Sequence, residues 1–453
     1  MTDAPLAIVL AAGLSTRMKS KTPKVLHVIA GRPLLAHVLE TVRAAGARPL
    51  VVLSKESEPA REILDDGARV AFQDPPRGTG DAVRVALATA NGDRGVAYIV
   101  YGDTPLLRPA TLARLRGLLS ERRAALAILT GEVGTDNAYG RIVRDKSGDV
   151  ERIVEARVAS AEEKLLPESI LGAYAADLGW LREAIGRLRA NETGEIFLTD
   201  LVAEATREGK RVAVHRVDDP EEGMGVNTRV ELAAAEAALR RRIREGHMLA
   251  GVTFRDPESC QVDADVRIAA DVVIERGTIL EGKTQIGAGS RVGPYAVLRD
   301  TSIGERCRVE SSTLEGATLE DEVRIGPYSH LRPGAYLERG VEMGNFGEVK
   351  NARLRSRTKM HHFGYIGDAE IGERVNIGAG TITLNYGVDG QKRRTVVGDD
   401  AFIGSDTLLR APVTVGKNAV TGAGAVITKD VPEGMVAVGM PARAIKKADR
   451  RQK

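Results

Sequence analysis

Residues 262–298 read VDADVRIAADVVIERGTILEGKTQIGAGSRVGPYAVL. Within them Val262, Ile268, Ile274, Leu280, Ile286, Val292 and Leu298 recur every six residues. The beat slips by one at Ile303 and resumes through Val309, Leu314, Leu319, Ile325, Leu331 and Leu337. It returns at Ile366, Ile371 and Ile377, then runs through Val397, Ile403, Leu409, Val415, Thr421 and Ile427. Glycine often follows the aliphatic residue, as in Ile286-Gly287, Ile325-Gly326, Ile377-Gly378 and Val415-Gly416.

A period of six fits neither a helix nor a flat sheet. It fits a β-solenoid of short strands and tight turns, with one aliphatic side chain per flat side pointing inward. Gly or Asn is expected where a corner needs positive φ. By analogy with left-handed parallel β-helices, three sides close one coil of about eighteen residues. Such a rod needs few aromatic residues, and the chain is only 4% aromatic.

The whole chain has 453 residues, room for roughly two or three domains. Its net charge is +3 with both signs interspersed, which gives no argument for nucleic acid or an anionic membrane. The two cysteines, Cys260 and Cys307, both lie in the repeat. They make no disulfide framework or zinc motif, so a cytoplasmic location is expected. The apolar run Leu6 to Leu14 is too short for a membrane span and lacks a basic leader. It reads as a first strand.

Upstream of the repeat, short aliphatic runs alternate with helical patterns. Ile8–Leu10, Leu50–Leu53, Val96–Val100 and Leu126–Leu129 read as buried strands; Leu34–Ala44, Gly80–Ala90 and Ala110–Leu119 read as helices. The alternation predicts an α/β, Rossmann-like domain with a mostly parallel sheet covered on both faces, and a ligand beyond the strands' carboxyl ends. The expected division is residues 1–227, a helical linker over 228–250, and a β-helix with a basic tail over 251–453. In the linker, Thr228 and Glu231 form a capping-box pattern. Leu232, Ala235, Leu239 and Ile243 make an apolar stripe, and Arg240, Arg241 and Arg244 a solvated face without catalytic role.

The loop after the first strand is Leu10-Ala11-Ala12-Gly13-Leu14-Ser15-Thr16-Arg17-Met18, with Lys24 following. Small residues let backbone N–H groups approach a phosphate, and Arg17 and Lys24 can neutralise it. It is neither a Walker loop nor a dinucleotide fingerprint. On chemistry alone, an ordinary turn with two surface cations stays open. Asp103 ends a buried strand, where a carboxylate is costly unless paired or bound to a metal; capping the following turn through Thr104-Pro105 is the alternative.

This loop and Pro23-Lys24 resemble the signature of sugar-1-phosphate nucleotidyltransferases. Gln73, Gly78-Thr79-Gly80-Asp81-Ala82, Tyr101-Gly102-Asp103-Thr104-Pro105-Leu106, Tyr139-Gly140-Arg141-Ile142, Ile153-Val154-Glu155 and Gly225-Val226-Asn227 extend the likeness. The resemblance implies that a sugar-1-phosphate oxygen attacks the α-phosphorus of a nucleoside triphosphate. It implies Mg2+ on Asp103 and Asn227, the base beside Gln73, Gly78 and Thr79, and the sugar held by Gly140 and Glu155. Leu10, Ala11, Ala12, Gly13, Tyr101 and Gly102 complete the implied UTP site. The family usually has Asn where Ile170 stands in Glu168-Ser169-Ile170-Leu171-Gly172, and Gln where Pro76 stands.

The repeat is expected to break twice. One break, between Leu337 and Ile366, carries Gly344 to Asn351 and His361-His362-Phe363-Gly364-Tyr365. The other, Thr383 to Thr395, carries Asn385-Tyr386 and the loop from Gly387 to Arg394. Such breaks mark loops on a functional face. Strand alternation would send His361 and His362 to opposite faces. A trimeric zinc hydratase using His330 is one alternative, and a histidine that only packs is another.

These segments, with Leu331-Arg332-Pro333-Gly334-Ala335 and Asn376-Ile377-Gly378-Ala379-Gly380-Thr381, resemble the bifunctional N-acetylglucosamine-1-phosphate uridylyltransferase/glucosamine-1-phosphate acetyltransferase family over essentially the whole chain. The resemblance implies His362 as general base, and Arg332, Lys350, Tyr365 and Asn376 on the amino-sugar phosphate. It implies Ala379, Asn385, Tyr386, Ser405 and Ala423 around acetyl-CoA, and a homotrimer with shared acetyltransferase sites. Met440 replaces a frequent Arg. Arg443, Lys446 and Lys447 offer charge for coenzyme phosphates or a merely solvated tail. A nucleotidyltransferase for another sugar, with the β-helix as scaffold, is the rival reading.

Overall fold

Strand β1, Leu6–Leu10, is buried along its whole length in the computed structural model of the chain, which describes residues 4–134 and 137–447. Its alternate residues serve two cores. Leu6, Ile8 and Leu10 join one cluster with Ala82, Val83, Ala86 and Leu181. Ala7 and Val9 join another with Leu35, Val38, Leu112 and Leu115. This two-sided burial is why the run is continuously apolar rather than alternating.

The other strands of this sheet are β2 Arg48–Leu53, β3 Arg69–Phe72, β4 Val96–Tyr101, β5 Leu126–Glu132, β6 Arg141–Arg144, β7 Val150–Val154, β8 Glu168–Asp177 and β9 Val212–Arg216. The sheet order is β9-β5-β8-β4-β1-β2-β3, with the β6–β7 hairpin joined through β8. β1, β2, β3 and β4 are mutually parallel, whereas β8 runs antiparallel to both β4 and β5. The helices are α1 Leu34–Ala44, α2 Thr79–Thr89, α3 Pro109–Glu121, α4 Ala161–Lys164, α5 Leu178–Arg187, α6 Asp200–Arg207 and α7 Arg229–Leu249. α1 and α3 cover one face; α2, α5 and α6 cover the other.

The chain forms two compact units, Met1–Leu239 and Arg240–Lys453, divided inside α7. Thr228 Oγ1 accepts the Glu231 N–H at 3.2 Å, and Glu231 accepts the Asn227 N–H at 2.8 Å, so this start is capped. Ala235 is buried in the first unit with Ile29, Leu34 and Val226, while Ile243 packs on the core of the second. The expected solvated arginine face needs correction. Arg244 is buried, donating to the Cys260 carbonyl at 3.3 Å and to Glu258 at 3.1 Å. Arg240 lies 3.2 Å from Asp263.

The second unit is built from three sheets of twelve, ten and nine strands whose repeating strands are parallel, as in a left-handed β-helix. Successive coils stack in register. Val262 pairs with Leu280, Leu280 with Leu298, and Leu298 with Leu314. All of these point into a single core. The expected break between Leu337 and Ile366 does not occur. Met343, Val349, Leu354 and Met360 take the inward positions and are buried, so His362 stands on regular coils. The excursion after Thr383 is real: Leu384 ends one strand and Thr395 begins the next.

The corners also differ from expectation. Tyr295, Arg306, Glu322, Tyr328 and Phe346 are among many non-glycine residues at positive φ. Hydrogen bonds to the previous coil hold several of them, as when Tyr328 N–H donates to Ser311 O at 2.8 Å. The glycines after the aliphatic residues serve close approach. A Cβ at Gly378 would lie 2.5 Å from the Ser405 nitrogen of the next coil.

Candidate functional site

The β1 loop and the end of β4 frame two cavities in the first unit. One, of about 410 Å³, is lined by Leu10, Ala11, Ala12, Gly13, Lys24, Gln73, Gly78 and Thr79, with Pro76 also on its wall. The second, of about 350 Å³, is lined by Arg17, Gly140, Glu155, Ile170, Tyr139 and Tyr174. Tyr101, Asp103 and Asn227 line both, so they form a shared wall. Gly102 lines neither. It is buried, donates its N–H to Leu10 O at 2.9 Å, and lets Ala11 pack close.

Asp103 and Asn227 are brought together by the backbone. The Val226 N–H donates to Asp103 O at 3.0 Å. Tyr139 hydroxyl accepts from Gly225 N and donates to Gly223 O, both at 3.2 Å. Lys24 Nζ donates to Asp103 Oδ2 and, at 2.9 Å, to Asn227 Oδ1. Two hard oxygen donors thus converge on one cation, a donor set that suits magnesium. Ser15 Oγ accepts the Lys24 N–H at 3.0 Å and donates to Gly13 O at 3.2 Å, tying the loop to the lysine turn. Spacing alone did not single out Ser15.

Gln73 is buried and donates Nε2 to Gly78 O and Asp81 Oδ2, both at 3.0 Å. An ionised aspartate only accepts, so the amide orientation is fixed and Oε1 remains as an acceptor. Gly78 has φ +101°, and a Cβ there would meet the Ile196 carbonyl oxygen at 2.5 Å. In the second cavity Glu155 accepts from Thr199 Oγ1 at 2.8 Å. Burial, helped by Glu155, pushes the Tyr101 phenol far above its ordinary value. Gly172 sits at positive φ in an irregularity of β8 that leaves room for the Tyr101 ring. Ile170 is buried against Gly140, giving this cavity an apolar wall.

In the second unit the candidates separate onto two sides and the corner between them. His362, Ala379, Ser405 and Ala423 occupy the same corner of successive coils and, with Asn376, line a groove of about 540 Å³. His361 lines it too. Both histidines are exposed and lie in the turn after Lys359–Met360 rather than in a strand, so strand alternation does not separate them. His361 Nε2 lies 2.9 Å from Glu342, and His330 Nε2 lies 3.2 Å from Glu315. Among the described residues, no group of three or more His, Cys, Asp or Glu could hold a metal ion.

Arg332, Lys350 and Tyr365 lie on the ten-stranded side, where Leu331 pairs with Val349 and Val349 with Ile366. Arg332 and Lys392 hold Lys350 below the ordinary lysine value. This concentration of cations suits a phosphate. Asn385 joins this group, donating to Asp368 at 2.5 Å and to the Tyr365 hydroxyl at 3.4 Å. Asn376 therefore stands apart from the other three sugar-phosphate candidates, and Asn385 apart from Ala379, Ser405 and Ala423. Tyr386 lines a separate cavity of about 720 Å³ with Asp389, Arg393 and Arg410. Lys392 was not legible as a site residue, since only folding of the loop brings it here. Arg443, Lys446 and Lys447 lie in the strand Ala442–Lys447, which pairs with Met435–Gly439. Met440 is exposed beside it, and the rest of the expected tail, residues 448–453, lies outside the described residues.

Residues 7–168 match the model of the MobA-like NTP transferase domain, and residues 394–429 that of the bacterial transferase hexapeptide (six repeats). The bifunctional protein GlmU of Trichlorobacter lovleyi is 44% identical over 438 residues, covering 95% of each chain. That of Halalkalibacterium halodurans is 41% identical over 435 residues, again covering 95% of each. That of Alkalilimnicola ehrlichii is 43% identical over 448 residues, covering 98% of this chain and 96% of the relative.

Proposed function

The chain belongs to the family of the bifunctional GlmU proteins, and from that premise we propose a two-step synthesis of UDP-N-acetylglucosamine. The β-helix acetylates glucosamine-1-phosphate with acetyl-CoA. The α/β unit then joins the product to UTP and releases pyrophosphate. The observation that carries the second step is the wall shared by two cavities, with Asp103 and Asn227 in it. A nucleotide in one cavity and a sugar phosphate in the other would meet there.

Uridylyl transfer needs positioning and charge neutralisation rather than a covalent nucleophile. The amides of Ala12 and Gly13 and the side chains of Lys24 and Arg17 grip phosphate oxygens, while the Ala11 N–H stays with the Val52 carbonyl at 2.9 Å. Gln73 Oε1 accepts the imide N–H of uracil; the ring nitrogen of cytosine offers it no proton. Gly140, Glu155 and Tyr139 hold the sugar, with Ile170 as its apolar neighbour. Asp103 and Asn227 hold Mg2+, which supplies positive charge to the triphosphate when bound.

In the acetyl step the glucosamine nitrogen attacks the thioester carbonyl. A C–N bond forms, the C–S bond breaks, and the amine proton passes to His362. Arg332, Lys350, Tyr365 and Asn376 hold the sugar phosphate, and Ala379, Ser405 and Ala423 line the coenzyme groove. Asn385 steadies Tyr365, and Tyr386 lies on the adjoining loop. Because these groups occupy two sides of one prism, a neighbouring chain is needed to close the angle between them. The exposed Tyr328, Phe346 and Phe363 support a homotrimer packed through its β-helices. No described helix is long and apolar enough to cross a membrane, and we place the enzyme in the cytoplasm, with small-molecule substrates.

The test supplies purified protein with acetyl-CoA, glucosamine-1-phosphate, UTP and Mg2+ and identifies products by mass. UDP-N-acetylglucosamine with free coenzyme A is expected. Absence of thiol release, with uridylyl transfer to supplied N-acetylglucosamine-1-phosphate intact, would reduce the β-helix to a scaffold.

A further inference from the structure

The cation already between Asp103 and Asn227 is part of the protein. Lys24 Nζ contacts Asp103 Oδ2 and lies 2.9 Å from Asn227 Oδ1, and both the Lys24 and Asp103 side chains are 15% exposed. We infer that Lys24 is the resident counter-ion of the metal site, and that a divalent cation and a nucleoside triphosphate therefore bind cooperatively. The inference rests on the proposed assignment of Asp103 and Asn227 as metal ligands.

A divalent cation and an ammonium cannot both occupy these oxygens, because a small cation sits close to them and the two charges repel. Nor is the carboxylate easily left bare, since an uncompensated charge in so enclosed a place is costly. The site thus exchanges one cation for another.

Lys24 has somewhere to go. Its side chain lines the nucleotide-side cavity together with the loop Leu10 to Ser15. Its backbone is pinned, with the N–H donating to Ser15 Oγ at 3.0 Å and the turn closed by His27 N–H to Lys24 O at 3.1 Å. Only the flexible stem has to swing. Triphosphate oxygens bound over the loop amides give the ammonium new partners, and Asp103 and Asn227 are released to the metal. By linkage, metal binding must favour the triphosphate by the same factor.

The test is Mn2+ binding to the full chain without nucleotide, read from the electron paramagnetic resonance signal of the free ion. Lys24→Met removes the charge while keeping most of the stem, and should bind Mn2+ roughly tenfold tighter or more than the wild type. Lys24→Arg keeps a cation in place and should remain weak. Lys24→Gln repeats the comparison if the methionine variant does not fold. A thermal melt gives a second readout: Mn2+ should raise the Tm of Lys24→Met more than that of the wild type. Equal Mn2+ affinity in wild type and Lys24→Met, with binding lost in Asp103→Asn, would overturn the exchange and leave the site assignment standing. Tight Mn2+ binding that survives in Lys24→Met/Asp103→Asn would overturn the site assignment itself.

Discussion

Replacing Met360 with alanine tests whether the coils beneath His362 are continuous. Met360 is 1% exposed, and its Cε lies 3.3 Å from where a Cβ on Gly347 would stand and 3.1 Å from one on Gly364. The long side chain fills space that these two glycines leave open. Truncation removes three heavy atoms, about 2.4 kcal/mol at about 0.8 kcal/mol per methylene-sized group. The neighbouring glycines have no side chains with which to refill the void, so a cavity cost brings the loss to about 3–4 kcal/mol. Met360→Leu should cost less than about 1.5 kcal/mol. The assay follows from composition: the single tryptophan, Trp180, lies buried in the first unit. In urea, Trp180 fluorescence reports that unit, and far-UV circular dichroism reports both. Met360→Ala should shift the β-helix transition and leave the Trp180 transition in place. Acetyl transfer should weaken with uridylyl transfer intact. A loss under about 1 kcal/mol would mean that the methionine is no part of a packed coil, and that the repeat does break here.

Three further outcomes are expected. His362→Asn should lower thiol release about 10²- to 10⁴-fold, with uridylyl transfer at wild-type rate in the same preparation. Gln73→Glu replaces a donor by a carboxylate against Asp81, losing a hydrogen bond to a charged acceptor worth about 1.5–3 kcal/mol. Its KM for UTP should rise about tenfold or more, and thiol release should not change. Asp93 gives a pH dependence. Burial would raise its carboxyl, but hydrogen bonds and charge from Arg69 and Arg48 outweigh that and hold it below the ordinary range. Its contribution is therefore present above about pH 4 and lost as pH falls through the lowered value. The stability gap between wild type and Asp93→Asn, read by Trp180 fluorescence, should close on acidification across that window.

What could be read from the sequence is what repeats or lies close along the chain. The inward residues were legible because each coil places one aliphatic per side, and the reading failed over Met343, Val349, Leu354 and Met360, where methionine takes two of the four inward places beside glycines. The β1 loop was legible because its small residues and cations are contiguous. The cation bridge was not, since Lys24 meets residues 79 and 203 positions away, and only the sheet and the start of α7 bring them together. Arg244 looked like a surface charge because a helical stripe cannot show that the opposite face is covered as well. The division of the acetyltransferase candidates has the same origin. In a three-sided coil, residues about six apart change sides, so Tyr365 and Asn376, eleven positions apart, lie on different sides. A motif read linearly gathers them into one pocket. The prism sets them on adjacent sides with His362 at the corner, so the two groups do not converge on one face of the chain.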